Sequence, residues 1–140
     1  MIYIPERIQH FFISVGWAPN MRQHSTESQT VQSIFTEFGG LEVGACGAGL
    51  ECAASNVCFF TCYQEHKHVV VEPWVSRLGP LTAIAEAHHD HISVFANREG
   101  AYYFYTHPDD QLYLGGTSFG EAMERLLLGQ QYGRPIEPCI

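Results

Sequence analysis

His91-Ile92-Ser93-Val94-Phe95, then Asn97-Arg98-Glu99-Gly100, then Ala101-Tyr102-Tyr103-Phe104-Tyr105 read as strand, turn and strand. Short runs of β-branched and aromatic residues suit a pleated, packed surface, and Gly100 supplies the positive φ that the turn needs. A hairpin fixes antiparallel pairing, and the flanking segments fall in with it. Leu81 to Ala87 is a further extended run on the upstream side. Downstream, His107-Pro108-Asp109-Asp110 is a turn and Leu112-Tyr113-Leu114 a last strand. Farther upstream, Leu41 to Val43 leads into a glycine-rich link at Gly44, Gly47 and Gly49. An extended stretch from Glu51 to Tyr63 follows, broken near Ser55-Asn56, so the middle of the chain reads as an antiparallel meander.

Helical spacing takes over on both sides. Ile8, Phe11, Phe12 and Val15 recur at i, i+3, i+4, i+7, with Pro5 near the first turn and Gly16 after the last. Trp17-Ala18-Pro19-Asn20 breaks the pattern. A second helix then presents Val31, Ile34, Phe35 and Phe38 behind a Thr26-x-x-Gln29 capping box, and Gly39-Gly40 ends it. Val71, Trp74, Val75 and Leu78 mark a short helix with Pro73 in its first turn and Gly79-Pro80 as its stop. Ser118-x-x-Glu121 is a capping box ahead of Ala122, Met123, Leu126 and Leu127, and Gly129 terminates that helix. The expected fold is therefore a single α+β domain over 1–129. Its central, mostly antiparallel sheet carries N-terminal and C-terminal helices packed on one side. Residues 130–140, with two prolines and no periodicity, form a loosely packed tail.

The chain has 140 residues, one domain's length, and 46% hydrophobic with 13% aromatic residues supplies its core. No apolar run reaches the roughly 18 to 20 residues of a membrane span, and Met1-Ile2-Tyr3-Ile4-Pro5-Glu6 is no signal peptide, so the expected compartment is the cytoplasm. Fifteen acidic against seven basic residues give a formal charge of −8, with Lys67 the one lysine. Such a surface repels phosphate, which argues against nucleic acid; it suits basic partners, although a simple solubility role for the charge is the plainer reading. Five cysteines, Cys46, Cys52, Cys58, Cys62 and Cys139, are an odd number and indicate free thiols.

Several polar groups invite a chemical reading. Cys58-x-x-x-Cys62-x-x-x-His66-x-His68 has a ligand-like spacing, but in a strand Cys58 and Cys62 lie about 13 Å apart, too far to share one zinc. Val57 to Tyr63 therefore reads as a buried strand with inert thiols. His88-His89-Asp90-His91 falls between two strands and reads as a solvated loop, although His88, His89 or His91 with Cys62, His66 or His68 would make a small metalloprotein. Gly44-Ala45-Cys46-Gly47-Ala48-Gly49 approaches both a nucleophile loop and a phosphate cradle. It lacks the following helix and the lysine of a P-loop. Tyr102, Tyr103, Tyr105 and Tyr113 near Asp109-Asp110 either anchor a protein partner or line the core.

Gly16-Trp17-Ala18-Pro19, Phe38-Gly39-Gly40-Leu41, Leu78-Gly79-x-Leu81, the hairpin glycine before Ala101-Tyr102, Ser118-Phe119-Gly120-Glu121-Ala122 and Leu126-Leu127-Leu128-Gly129 stand in an order that resembles the SUKH superfamily. The resemblance is greatest to its third immunity subfamily and covers roughly residues 12–129. The chain departs from that pattern at Asn20-Met21, at Ala83-Ile84-Ala85 and at Ala101. The resemblance implies an α+β immunity protein of a bacterial toxin system. Such a protein binds without catalysing, takes no cofactor or metal, and occludes a cognate toxin of nuclease or deaminase type. Under it, Glu86, Asp90, Tyr103, Asp109 and Asp110 are the candidate partner contacts, and the −8 charge suits a basic toxin cleft.

Overall fold

A computed structural model of the chain describes residues 2–18 and 31–138. The expected proline stop at Pro19, the Thr26–Gln29 capping box, the departure at Asn20-Met21 and Cys139 lie outside the described residues. The elements are α1 (Glu6–Ile13), α2 (Val31–Phe38), β1 (Glu42–Val43), β2 (Val57–Phe59), a 3₁₀ turn (Glu65–Lys67), α3 (His68–Leu78), β3 (Thr82–Ala87), β4 (Ile92–Ala96), β5 (Tyr102–Thr106), β6 (Gln111–Gly116) and α4 (Phe119–Leu128). The six strands form one sheet in chain order, and every pairing is antiparallel. The α+β architecture and the 91–105 hairpin stand as the sequence predicts.

Alternation along the strands divides the core between two faces. Ile92, Val94, Ala96, Tyr102 and Phe104 join Ile8, Phe12, Ile34, Phe38, Phe119, Met123 and Leu126 on one face, beneath α1, α2 and α4. Phe38 is the hub: its ring stacks on Phe119 at 5.0 Å and lies 5.4 Å from both Phe12 and Phe59. Phe95, Tyr103, Tyr105, Ala83 and Leu112 face the other way and meet Val71 and Trp74 of α3. The helices thus cover both faces, not one. This is why β4 is buried along its whole length, Ser93 included.

Local details also differ from the expectation. Val15 lies past the end of α1 in a turn and is exposed. α3 begins at His68, so Pro73 sits inside the helix, not in its first turn. Pro73 cannot bond the Val69 carbonyl, but both residues are exposed and water can take that acceptor. Strand structure in 51–63 is confined to Val57–Phe59, and Cys62 is exposed beyond it. The backbone N–H groups of Leu50, Glu51, Cys52 and Ser55 instead bond the carbonyls of Leu128, Gly129, Gly129 and Leu126. The loop between β1 and β2 therefore satisfies carbonyls at the end of α4 that would otherwise lack partners.

The tail is tethered rather than loose. Ile136 N–H donates to Leu112 C=O at 2.7 Å, and Trp74 Nε1 donates to Ile136 C=O at 2.7 Å. Tyr132 packs edge-on against Phe104 and Tyr113. A segment that lacks periodicity is here held by side chains remote in sequence. Among the described residues, no helix is long and apolar enough to cross a membrane.

Candidate functional site

The register places three connections at one end of the sheet. Val43 pairs with Val57, Val57 with Ala87, Ala87 with Ile92, Ile92 with Thr106, and Thr106 with Gln111. Loop 44–56, turn 88–91 and turn 107–110 consequently lie side by side. His107 N–H donates to the His91 carbonyl at 2.8 Å, and His88 N–H to the Asn56 carbonyl at 3.1 Å, joining neighbouring connections.

Asp90, Asp109 and Asp110 are all exposed at this end. Asp110 accepts from Tyr105 Oη at 2.7 Å and pairs with His107 Nδ1 at 3.2 Å. Asp109 accepts from Thr106 Oγ1 and, at 3.4 Å, from Tyr113 Oη. Burial pushes the Tyr105 hydroxyl up to about 12, with the Asp110 hydrogen bond and the two aspartate charges adding to it. The aspartates are thus anchored from beneath by buried or half-buried tyrosines, while their outward faces meet solvent.

Glu86 lies one row in from the end. Paired residues share a face, so Glu42, Cys58, Glu86, Ser93, Tyr105 and Leu112 form a row across all six strands. Its Leu112 side is covered by α3, and its Glu42 side is polar. Lys67 reaches over to pair with Glu86 at 2.6 Å. Burial raises the Cys58 thiol to about 11, with further lifts from the Glu42 charge and hydrogen bond, then from Asp90 and Glu86. Glu42, Asp90 and Glu86 thus all stand near this thiol, with the charge of Glu86 answered by Lys67. Glu42, exposed on a two-residue edge strand, escaped the sequence reading because nothing in its neighbours distinguishes it.

Tyr103 does not belong with these four. It is 6% exposed and packs with Phe95, Trp74 and Leu112 beneath α3, so it is a core residue and not a surface anchor. Its hydroxyl meets the Asn97 amide at 3.5 Å, toward the opposite turn. For Tyr102, Tyr103 and Tyr105 the core reading of the tyrosine run prevails, because β5 is covered on both faces.

The His88–His91 segment is a turn as expected, and His88, His89 and Asp90 all adopt positive φ. His89 and His91 are exposed, whereas His88 turns inward to Ser55 and Cys46. Among the described residues no three His, Cys, Asp or Glu side chains gather to hold a metal ion. The metalloprotein reading therefore has no assembled ligand set behind it. The phosphate-cradle reading of 44–49 also fails: the N–H groups just after it are committed to α4, and no helix follows.

Three of the motif residues quoted for the family resemblance, Gly39, Ser118 and Gly129, occupy positions that the backbone demands. A Cβ at Gly39 would collide with the Phe35 carbonyl oxygen and stand 3.2 Å from that of Phe60. Gly129 caps α4 at φ 69°, and Ser118 Oγ accepts from Glu121 N–H at the other end. These are requirements of the fold, whereas the acidic loop end is built from other residues. Comparison with protein-family models, with curated proteins and with solved structures yields no match.

Proposed function

We propose that this chain is an immunity protein that binds a bacterial toxin domain of nuclease or deaminase class and occludes its active site. The observation that carries the reading is the acidic end of the sheet. Asp90, Asp109 and Asp110 are exposed in adjacent turns, Glu42 is exposed on β1, and Glu86, paired with Lys67, lies one row in. The ordered motifs resembling the third SUKH immunity subfamily point to the same role. A toxin that grips nucleic acid presents a basic cleft. An acidic surface of formal charge −8 accelerates encounter with that cleft and is itself repelled by the nucleic acid.

The end of the sheet also has suitable mechanics. Loop 44–56 is pinned to α4 by four backbone hydrogen bonds and the aspartates by tyrosine hydroxyls, so little ordering entropy is spent on docking. On this reading the partner is a basic protein, no nucleic acid is bound, and the work is done in the cytoplasm. The test is co-expression with the toxin-like gene nearest its own locus. Survival together with a co-purifying complex is the expected result, and failure to rescue cells from that toxin refutes the pairing.

A further inference from the structure

The same end of the sheet brings a thiol and an imidazole together from two connections. Cys46, half-buried in loop 44–56, donates its thiol hydrogen to Asn56 Oδ1 at 3.2 Å and lies 3.7 Å from His88 Nδ1. Ser55 Oγ is 3.2 Å from the same ring nitrogen. Asn56 is oriented in turn by its amide, which donates to Glu42 Oε2 at 3.0 Å and leaves Oδ1 facing the thiol. Both sides of the pair are fixed: the loop by its bonds to α4, and His88 by its N–H to Asn56 C=O and by accepting from His91 N–H.

We propose that Cys46 and His88 form a thiol–imidazole pair that makes Cys46 a nucleophile toward small cationic disulfides. The thiol hydrogen turns from Asn56 Oδ1 to His88 Nδ1, which is unprotonated when the ring carries its hydrogen on Nε2, and passes to it. As the proton passes, Cys46 Sγ attacks one disulfide sulfur and forms a mixed disulfide. The second sulfur leaves as a thiolate and recovers the proton from the imidazolium. Cys46 is oxidised, the departing half of the reagent is reduced, and no other oxidant is needed.

Contacts, more than access, distinguish this thiol, since Cys46, Cys52 and Cys58 are all half-buried. Ser55 is 3% exposed, so its hydroxyl contacts the imidazole but not a reagent. Cys58 is held protonated, with its thiol raised to about 11 by burial and Glu42, and Cys52 is raised by burial and Glu51. Cys62 is exposed, and an amide N–H from Gln64 meets its sulfur at 3.9 Å. Of these four thiols, Cys46 is the one whose sulfur contacts a ring nitrogen. Glu42, hydrogen-bonded to the Asn56 amide beside the thiol, makes the approach negative and selects a cationic disulfide over an anionic one; the same charge opposes a free thiolate, so the proton passes to His88 as the sulfur attacks.

The experiment treats the full-length reduced protein at pH 7 with cystamine or with oxidised glutathione and follows each cysteine by mass spectrometry. Proton transfer to His88 during attack should make the rate at Cys46 about tenfold above that at Cys62. Cystamine should outpace oxidised glutathione at Cys46 by about fivefold at low salt, and the gap should close as salt is added. His88→Gly tolerates the positive φ and removes the ring. It should slow Cys46 by about tenfold, leave Cys62 unchanged, and regain rate when free imidazole is supplied. Modification of Cys62 or Cys139 ahead of Cys46 in the native wild-type protein overturns the proposal whether or not the variant folds. An unchanged Cys46 rate in folded His88→Gly overturns it as well.

Discussion

Replacing Gly49 by alanine tests the docking of loop 44–56 on α4 with a single methyl group. The new Cβ would stand 2.7 Å from Gly129 Cα and 2.8 Å from the Leu128 carbonyl oxygen, and closer still to the Cys52 carbonyl oxygen. All three obstacles are backbone, so no side-chain rotation relieves the clash. The loop must lift away, which strains or breaks the bonds from Leu50, Glu51 and Cys52 N–H to Leu128 and Gly129. Overpacking costs about 1–3 kcal/mol and each lost hydrogen bond about 1, so a destabilisation of about 3 kcal/mol is expected. With a urea slope of about 1.5–2 kcal/mol/M, the unfolding midpoint should fall by about 1.5–2 M. Gly47→Ala is the matched control. It lies in the same loop with nothing within 4 Å of its added Cβ, and its midpoint should move by less than about 0.3 M. Equal midpoints for the two variants would refute the idea that the loop is seated on the helix end.

Other outcomes follow from the core and the tail. Tyr102 is 1% exposed and burial pushes its hydroxyl up to about 12, so the folded state keeps a proton that the unfolded state loses near pH 10. Stability from this group is intact below pH 10 and declines by about 2.7 kcal/mol as the pH approaches 12; chemical denaturation of Tyr102→Phe should show a shallower alkaline loss, and parallel curves would contradict the assignment. Truncation after Gln130 removes the Ile136 bonds to Leu112 and Trp74 and the packing of Tyr132, and should cost about 2–4 kcal/mol with a red-shifted tryptophan emission. An unaltered emission spectrum and midpoint would mean that the tail is not docked. Phe38→Ala empties the centre of the aromatic cluster and should cost about 3–5 kcal/mol in urea unfolding, against which a loss below 1 kcal/mol would count.

What could be read from the sequence was local. The 91–105 hairpin, the Ser118 cap and the Gly129 stop each depend on residues a few positions apart, and the structure keeps all three. The placement of α3 on the second face was not legible, because Val71 and Trp74 state that one helix face is buried but not which side of the sheet buries it. The same limit applies to loop 44–56. Its glycines signal a turn, but nothing in them says that the adjoining N–H groups serve a helix end more than seventy residues away. Cys46 and His88 each stood out as polar residues in loops, yet their meeting depends on strand register across 42 positions. Asp90, Asp109 and Asp110 were recognisable as turn residues, and the register of β4 with β5 is what brings their turns together.

The association rate between this protein and the proposed toxin partner, measured as ionic strength is raised, tests the central claim most directly. The comparison is with a variant carrying Asp90→Asn, Asp109→Asn and Asp110→Asn. Asparagine suits the positive φ of Asp90 and Asp110 and removes three charges without imposing new ones. The wild-type rate should fall steeply with salt. The variant should associate about tenfold more slowly at low salt and respond weakly to added salt, with dissociation less affected. Identical association rates and salt slopes for the two proteins would contradict the assignment of this acidic end as the toxin-binding face.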